Sequence, residues 1–389
     1  MRSISRLLAA LTSAALLISL SVAPTLAGSP VTTFWVDDDH MAAPGNCNST
    51  DSAPLSIQGA VNVASPDSTI MVCPGLYPET ISITTPGLTL KSVKRWKATV
   101  TPPSDFTAGT ALVTVTAVPG VSIKGFRFAT PTTGDCEPVA FFVKLTDTPY
   151  TQIRDNKMVS TGGETLGYCG YSAGVYVTGG SGGSEINRNR ITDFKMVGIH
   201  VAGEYGDVLL RYNRINFLHP NYPAGLVGTM GIYAAAESGT VTIKQNRIRS
   251  LDSGGNTTSL LGRGIYVAGA HFDVRGNRIR NVQYAIYAGS GQDGRINNNR
   301  AVQNVQVGLL LQQAANVEIA QNSMSGWDFG VAVQQSTDNN FHDNDWGNSA
   351  GTADCYDDSS GGGTANTANT WTNNLGATSS PAGICTPAP

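Results

Sequence analysis

The feature that most constrains this chain is a short repeat that recurs through most of its length. An asparagine, usually followed by arginine and isoleucine, returns once per repeat, at Asn156, Asn189, Asn213, Asn246, Asn277, Asn299, Asn322 and Asn344. A second block, glycine or alanine followed by aliphatic and aromatic residues, lies between successive asparagines. The gap from this block to the next asparagine is 13 to 15 residues, whereas the gap from asparagine to block is 8 or 9 residues in four repeats and 18 in three. One turn is therefore fixed in length, and the opposite turn takes insertions.

The repeat unit has the pattern of short strands. It alternates apolar and polar residues with a period of two and contains no helical stretch. A unit of about 22 residues with two or three short strands is the coil of a parallel β-helix, whose coils stack at about 4.8 Å. Stacked Ile and Val would fill its interior, and the asparagine side chains would link successive coils. The sequence predicts an all-β solenoid of about ten coils over residues 81–350.

Both ends of the solenoid have sequences of a different kind. Residues 28–80 predict an N-terminal edge strand and a capping segment, because residues 56–65 place apolar side chains at helical spacing. Residues 351–389 are rich in Gly, Ser, Thr and Asn and predict a C-terminal covering tail.

The first 27 residues have the pattern of a secretory signal peptide. Arg2 and Arg6 precede an apolar stretch over residues 7–22, and Thr-Leu-Ala follows at 25–27. No later apolar run approaches the length of a membrane span. We predict a secreted or extracytoplasmic protein, in the periplasm or at the cell surface.

All six cysteines follow the predicted signal peptide, which favours disulfides. Proximity in the chain and placement around ends and insertions favour the pairs Cys47 with Cys73, Cys136 with Cys169, and Cys355 with Cys385, among fifteen possible pairings. Metal binding by these cysteines is the alternative, but no C-x-x-C or H-x-x-H spacing supports it.

Composition restricts the partners. Charged residues make up 14% of the chain and the net charge is −3, which disfavours a nucleic-acid partner. The five His and seven Met form no obvious cluster of copper ligands. We expect a monomer whose partner is a polysaccharide.

The segment before the repeats points to a family. Ser-Ile-Gln-Gly-Ala-Val at 56–61 and Cys-Pro-Gly-Leu-Tyr-Pro-Glu-Thr at 73–80 resemble the opening of secreted right-handed parallel β-helix repeat proteins of the pectate-lyase-like superfamily. The resemblance covers most of residues 55–350 and implies right-handed coiling. It does not fix the chemistry, because the superfamily includes lyases, hydrolases, esterases, epimerases and non-catalytic adhesins.

Catalytic motifs of that superfamily match poorly. Trp-Val-Asp-Asp-Asp-His at 35–40 is similar to the Trp-x-Asp-His motif of pectate lyases, but it precedes the coils, which favours an edge strand followed by an acidic turn. Its three adjacent carboxylates, Asp37 to Asp39, are nevertheless suited to Ca²⁺. Trp-Asp-Phe-Gly at 327–330 resembles a pectin methylesterase signature without its companion motifs, and the Asp pair and Gly-His-Gly of polygalacturonases are absent.

A row of cations is predicted along the solenoid, and we call it the basic row. It comprises the residue after each repeated asparagine and its equivalents in earlier coils: Lys94, Arg127, Lys157, Arg190, Arg214, Arg247, Arg278 and Arg300. Like charges one coil apart repel unless something compensates them. Acidic side chains such as Asp155 and Asp193 could compensate this repulsion, and the row would then be structural. An acidic polysaccharide could compensate it as well, because a carboxylate or sulfate accepts two parallel hydrogen bonds from the planar guanidinium of arginine.

A second outward row is aromatic, and we call it the aromatic row. It comprises Tyr176, His200, Tyr233, Tyr266 and Tyr287. It is explained either by cross-strand packing or by a platform for sugar rings. The insertions at 160–173, 216–230 and 251–263 lie between the two rows and would wall a cleft beside them.

The sequence thus favours a protein that binds, and as a polysaccharide lyase would cleave, an acidic polysaccharide. In a lyase, Arg214 or Arg247 would neutralise the uronate carboxylate, and His219 or Tyr233, or else an unusually unprotonated Arg or Lys, would remove the α-proton. Arg190, Arg278 and the other members of the aromatic row would bind substrate. A glycoside hydrolase would need two carboxylates in one cleft, for which Asp193 and Asp252 are the candidates. The alternative is a non-catalytic surface or adhesion protein, which needs only the solenoid with its basic and aromatic rows and no catalytic residues.

Overall fold

The computed structural model describes residues 32–387 except 52, 54–55, 131–138, 160–172, 195, 219–228, 252–261, 303–304, 327 and 348–350. Within this part, the strands form three long sheets, and from Thr69 to His342 successive strands of the chain enter sheets 1, 2 and 3 in turn. Neighbouring strands within every sheet are parallel, as Arg214–Leu218 and Arg247–Leu251 are. The chain is an all-β right-handed parallel β-helix, as the sequence predicted.

Sheet 1 has 13 strands: β1 (Thr33–Val36), β2 (Thr69–Val72), β5 (Thr89–Ser92), β8 (Ser122–Lys124), β11 (Gln152–Arg154), β14 (Ser184–Asn187), β17 (Val208–Arg211), β20 (Val241–Lys244), β23 (Phe272–Arg275), β26 (Arg295–Asn297), β29 (Glu318–Ala320), β32 (Asn340–His342) and β34 (Thr370–Thr372). Sheet 2 has 10 strands: β3 (Gly75–Pro78), β6 (Ala98–Thr101), β9 (Arg127–Ala129), β12 (Lys157–Val159), β15 (Arg190–Phe194), β18 (Arg214–Leu218), β21 (Arg247–Leu251), β24 (Arg278–Arg280), β27 (Arg300–Ala301) and β30 (Ser323–Met324). Sheet 3 has 12 strands: β4 (Ile81–Ile83), β7 (Thr110–Thr116), β10 (Val139–Thr146), β13 (Ala173–Gly179), β16 (Val197–Tyr205), β19 (Met230–Ser238), β22 (Arg263–Ala270), β25 (Tyr284–Gln292), β28 (Val307–Gln312), β31 (Phe329–Gln334), β33 (Ala353–Asp357) and β35 (Ser379–Ser380).

The core is a stack of aliphatic side chains between the three sheets. On sheet 2, Ile191, Ile215, Ile248 and Ile279 are Cα partners in successive strands, and none is more than 1% exposed. Each buried aliphatic side chain contributes about 1.5–3 kcal/mol relative to an exposed one. The residues on either side of each isoleucine point outward, so this stack fixes which side chains form the surface of sheet 2.

Buried asparagines join the coils at the corner between sheets 1 and 2. Asn213 donates from its backbone N and from Nδ2 to Oδ1 of Asn246, at 2.9 and 3.1 Å. Asn246 donates in turn to Oδ1 of Asn277 and to the carbonyl oxygen of Leu210. The predicted ladder is confirmed, and it continues past the repeats to Asn374.

A short helix caps the N-terminal end of the core. Helix α1 (Ile57–Val63) buries Ile57, Ala60 and Val61, close to the predicted segment 56–65. The Oγ of Ser56 accepts from Gly59 N, and the carboxylate of Glu79 accepts from the first two helical N–H groups, at 2.8 Å each. These acceptors satisfy backbone donors that a helix start leaves without partners.

The C-terminal segment adds strands to sheets 1 and 3. Strands β33, β34 and β35 pair in parallel with earlier strands, and a short 3-10 turn (Thr364–Asn366) lies between them. Trp371 stacks on Phe341 with ring centroids 3.9 Å apart. Disulfides join Cys47 to Cys73 and Cys355 to Cys385, whereas Cys136 and Cys169 lie outside the described residues. Among the residues placed by the structure, no helix is long and apolar enough to span a membrane.

Candidate functional site

The basic row lies on the outer face of sheet 2, at the first position of successive strands. Its members are Cα partners from coil to coil: Arg127, Lys157, Arg190, Arg214, Arg247, Arg278 and Arg300. At a strand separation of about 4.8 Å, these seven cations cover about 29 Å. The row ends at Ser323, the partner of Arg300.

The assignment of Lys94 to this row is corrected. Strand β6 begins at Ala98, and Thr99 is the residue in register with Arg127. Lys94 precedes the strand in a turn, where its carbonyl oxygen accepts from Lys97 N. The turn before β6 is longer than in later coils, so counting from the preceding strand gave the wrong position.

Two further arginines widen the row in its middle. Arg249 and Arg280 are Cα partners two residues beyond Arg247 and Arg278, and both are exposed on the same face. Asn216 is the partner of Arg249 in the preceding coil. Arg214, Asn216 and the four arginines of β21 and β24 line one shallow polar depression. The sequence analysis missed Arg249 and Arg280, although Arg-Ile-Arg at 247–249 and 278–280 places both arginines on the outer face.

Sheet 1 provides a partial contrast, because three of its arginines have acidic partners, whereas Arg154 on β11 forms no ion pair with a described residue. Arg275 lies 3.3 Å from Asp273, Arg295 lies 3.2 Å from Glu318, and Arg211 contacts Glu185. On sheet 2, within the described part of the chain, Arg214, Arg247 and Arg278 form no ion pair.

Of the two acids named as neutralising the basic row, Asp155 is the one whose side chain the structure describes, and its ion pairs lie outside the row. Asp155 lies 3.6 Å from Arg95 and 3.8 Å from Arg188, neither of which belongs to the row. The side chain of Asp193 and the whole of Asp252 lie outside the described residues. Two unit charges 4.8 Å apart repel by about 0.9 kcal/mol even in water.

The aromatic row lies on sheet 3. Tyr176, His200, Tyr233, Tyr266 and Tyr287 are Cα partners in successive strands, and Phe141, which sequence analysis missed, stacks on Tyr176 at 4.8 Å. Tyr233 and Tyr266 are stacked at 5.1 Å, and the other neighbouring rings meet edge to face at 4.5–4.9 Å. Because neighbours cover the ring faces, cross-strand packing accounts for this geometry better than an open platform for sugars.

Other side chains hold the aromatic row in place. The guanidinium of Arg263 lies 5.1 Å from the ring centroid of Tyr266 and 4.7 Å from that of Tyr287. The hydroxyl of Tyr287 also forms a hydrogen bond with Oε1 of Gln312. These contacts occupy polar groups that a sugar would otherwise use.

Burial shifts pKa values in the aromatic row in directions that make its members weaker general bases at neutral pH. It lowers the pKa of His200 to about 4, so that its imidazole is neutral at neutral pH. Burial also raises the pKa of Tyr233 and of Tyr287, with a smaller contribution from the Tyr266 hydroxyl. A tyrosine with a raised pKa keeps its proton and is a poor general base at neutral pH.

The residues predicted to be catalytic are not gathered into one described cluster. Arg214 and Arg247 are neighbours on sheet 2, whereas Tyr233 lies on sheet 3 among the aromatic residues. His219, the other predicted base, and most of the three insertions lie outside the described residues. Of the two named bases, the structure therefore describes only Tyr233, and it lies on a different sheet from Arg214 and Arg247.

The acidic turn near the N-terminus uses its carboxylates within the fold. Asp38 accepts from Leu76 N at 2.8 Å, and Asp39 accepts from Met41 N at 2.9 Å. Asp37 is buried, and burial together with Asp38 and Asp39 raises its pKa to about 6. The one close group of potential metal ligands among described His, Cys, Asp and Glu residues is Asp37 with Cys47 and Cys73, and both sulfurs are in a disulfide. This group does not provide the oxygen ligands that Ca²⁺ requires.

Comparisons with known proteins agree with the fold. A family described as "Periplasmic copper-binding protein (NosD)" matches residues 230–380. The fold is similar to that of the Dettilon tailspike protein (14% identity, 80% of this chain and 62% of that one, TM-score 0.56). It is also similar to a GH136 lacto-N-biosidase from Eubacterium ramulus (10%, 81% and 63%, 0.55) and to a polygalacturonase from Erwinia carotovora ssp. carotovora (10%, 80% and 94%, 0.54). No curated protein sequence matches. The chain is a right-handed parallel β-helix repeat protein, and identities this low show the fold alone.

The described residues of the matched region do not fit copper. His342 lies on sheet 1 against Asp343 and Glu318, His271 lies in an exposed turn, and Met324 is buried in the core. Copper in proteins is held by grouped His, Met or Cys ligands. Within the described part of 230–380, no three His, Cys, Asp or Glu side chains come close enough to share an ion.

Proposed function

We propose that this protein binds an acidic polysaccharide outside the cytoplasm, along the outer face of sheet 2. The observation that carries the proposal is the basic row, with one cation per coil over seven coils. Its central members Arg214, Arg247 and Arg278 form no ion pair with any described residue, whereas three arginines on sheet 1, Arg211, Arg275 and Arg295, are paired with acids. A polymer whose anionic groups recur along its length would neutralise several members at once.

Arginine suits this ligand. Its planar guanidinium donates two parallel hydrogen bonds to a carboxylate or sulfate, and these are stronger than hydrogen bonds between neutral groups. The backbone of the polysaccharide would run parallel to the solenoid axis, because the cations follow one another across strands. The predicted signal peptide and the periplasmic family matched at 230–380 support an extracytoplasmic location. The polygalacturonase among the similar structures acts, by its name, on an acidic polysaccharide.

The proposal is recognition of the polysaccharide, and the test below measures whether the polymer is also cleaved. Elimination from a uronate needs a base beside the bound sugar. Tyr233, one of the two predicted bases, lies on sheet 3 with a raised pKa. The surface and adhesion alternative remains compatible with binding, since an adhesin of this fold would use the same row.

A panel of polysaccharides tests this function. The purified protein is titrated with polygalacturonate, alginate, a glycosaminoglycan and neutral dextran, and the absorbance of unsaturated uronates is followed in the same samples. We expect binding to acidic polymers, no binding to dextran, and no new absorbance. Replacing Arg214 and Arg247 by glutamine should weaken binding by at least about tenfold. Equal binding to dextran, or an unchanged affinity of the variant, would refute the proposal, and new absorbance would establish a lyase instead.

A further inference from the structure

The turn between sheets 1 and 2 places one residue of each coil beside the basic row. This residue has a left-handed backbone and comes two positions before the sheet 2 strand, so its Cα lies at most about 7.6 Å from that of the cation. In the coil of Arg214 it is Tyr212. In the other coils of the row it is glycine or a polar residue, namely Gly125, Asp155, Arg188, Gln245, Gly276 or Asn298.

Tyrosine is a costly choice at this turn position. Glycine, asparagine and aspartate take left-handed backbone readily, whereas a bulky side chain does so at a cost in free energy. Tyr212 has a φ of 56°. Its side chain recovers little of this cost through burial, because the residue is 49% exposed. An aromatic ring that is neither favoured by the backbone nor buried by the fold indicates a use outside the fold.

The ring of Tyr212 is also less covered than other aromatic rings of the solenoid. In the part of the chain that the structure describes, no aromatic ring packs on it, in contrast to the aromatic row. The guanidinium carbon of Arg211 lies 5.8 Å from its centroid, near the outer limit of a cation–π contact. Trp96, at the same turn position near the N-terminal end, is held by Arg95 at 4.3 Å and donates from Nε1 to the carbonyl oxygen of Asp155.

We propose that Tyr212 stacks on a sugar ring of the bound polysaccharide while Arg214, two residues away, holds an anionic group of the same polymer. The inference rests on the proposed function and adds the residue that recognises the sugar. A pyranose presents a face of weakly positive C–H groups, which packs well against the negative face of an aromatic ring. Cations alone accept any polyanion, so the ring is what distinguishes a polysaccharide from other polyanions.

Two polyanions test the inference: polygalacturonate and poly-glutamate, which carries one carboxylate per residue but has no sugar ring. Wild-type protein is compared with Tyr212→Asn, which suits a left-handed backbone, and with Tyr212→Phe, which keeps the ring. The matched control is Tyr150→Asn. Tyr150 is 69% exposed with a φ of 61°, but it lies in the turn between sheets 3 and 1, away from the basic row. Thermal unfolding is recorded for each protein, and dissociation constants are measured at one ionic strength.

We expect Tyr212→Asn to weaken binding of polygalacturonate by about tenfold and binding of poly-glutamate by less than about threefold. Its unfolding temperature should equal or exceed that of the wild type, because asparagine relieves backbone strain. Tyr212→Phe and Tyr150→Asn should keep both affinities within about threefold.

Three results would contradict the inference while the proposed function stands. They are an unchanged affinity of Tyr212→Asn for polygalacturonate, an equal loss for both polymers, and an equal loss in Tyr150→Asn. If wild-type protein does not bind polygalacturonate, the proposed function fails for this polymer and the inference falls with it.

Discussion

Each arginine in the middle of the basic row has a cation one coil away on both sides. Arg247 lies between Arg214 and Arg278, and no described acid pairs with it. Replacing Arg247 by glutamine should therefore raise the free energy of unfolding of the ligand-free protein by about 1 kcal/mol at low salt. The gain should shrink at high salt, because salt screens exposed charges. Chemical denaturation at two ionic strengths measures both effects.

Arg295 is the matched control for Arg247. It is exposed on sheet 1, and its Nε lies 3.2 Å from Glu318. Glutamine at 295 removes an attraction instead of a repulsion, so stability should stay equal or fall slightly. If both substitutions destabilise the protein equally at either salt concentration, the basic row carries no uncompensated repulsion.

Asp37 gives stability a dependence on pH that can be derived from one residue. Its pKa is raised from 3.8 to about 6 by burial and by the neighbouring carboxylates Asp39 and Asp38, so the fold favours the protonated form. This contribution is present in full below about pH 4 and is lost as pH rises through about 6. Relative to an Asp37→Asn variant, the wild type should lose about 1–3 kcal/mol of unfolding free energy between pH 4 and 7. Parallel pH profiles of the two proteins would contradict this assignment.

At the scale of an element, the asparagine ladder holds the corner where the basic row begins. Asn246 accepts two hydrogen bonds from Asn213 and donates to the carbonyl oxygen of Leu210, all in the interior. Alanine at 246 leaves these buried groups without partners and should cost about 2–4 kcal/mol. Thermal or chemical unfolding of the variant measures the loss. Asn340→Ala, on the exposed face of sheet 1, is the control and should change stability by less than about 0.5 kcal/mol.

Elements defined by periodic burial could be predicted from sequence, and elements defined by irregular turns could not. The Asn-Arg-Ile triplets predicted three features together: the buried asparagine of the ladder, the outward cation and the inward isoleucine. This was possible because successive residues of a strand point to opposite faces of the sheet. Lys94 was misplaced because the turn before β6 does not keep the spacing of later coils. Phe141 was missed because the residue of β10 in register with Tyr176 is Lys144, and Phe141 reaches Tyr176 from three residues earlier in the strand.

At the scale of the whole molecule, the solenoid turns a local repeat into a row of cations that crosses seven successive strands. The rod spaces its cations by strand separation alone, so no flexible loop is needed to align them. The fold could be predicted from the period, but the chemistry could not, because which outward row has acidic partners depends on neighbours one coil away. Sheet 1 and sheet 2 both carry arginines, and the ion pairs of Arg211, Arg275 and Arg295 distinguish these three from Arg214, Arg247 and Arg278.

A surface of this kind predicts strong dependence on ionic strength for the molecule as a whole. Raising the salt from about 50 mM to about 500 mM shortens the screening length from about 14 Å to about 4 Å, less than the spacing between coils. We expect the affinity for an acidic polysaccharide to fall by at least about tenfold over this range, measured by titration. An affinity that is independent of salt would point to the aromatic row or the insertions as the binding surface.

The most direct test compares equal losses of charge on two faces of the same rod. One variant replaces three arginines of the basic row on sheet 2 by glutamine: Arg214, Arg247 and Arg278. The other replaces three paired arginines on sheet 1: Arg211, Arg275 and Arg295. Both variants lose three positive charges, so non-specific attraction to a polyanion falls equally.

The affinity of each for the acidic polysaccharide that binds wild-type protein best is measured at one ionic strength. We predict a loss of about 100-fold or more for the sheet 2 variant and less than about threefold for the sheet 1 variant. Equal losses, or a larger loss on sheet 1, would contradict the assignment of the basic row as the binding surface.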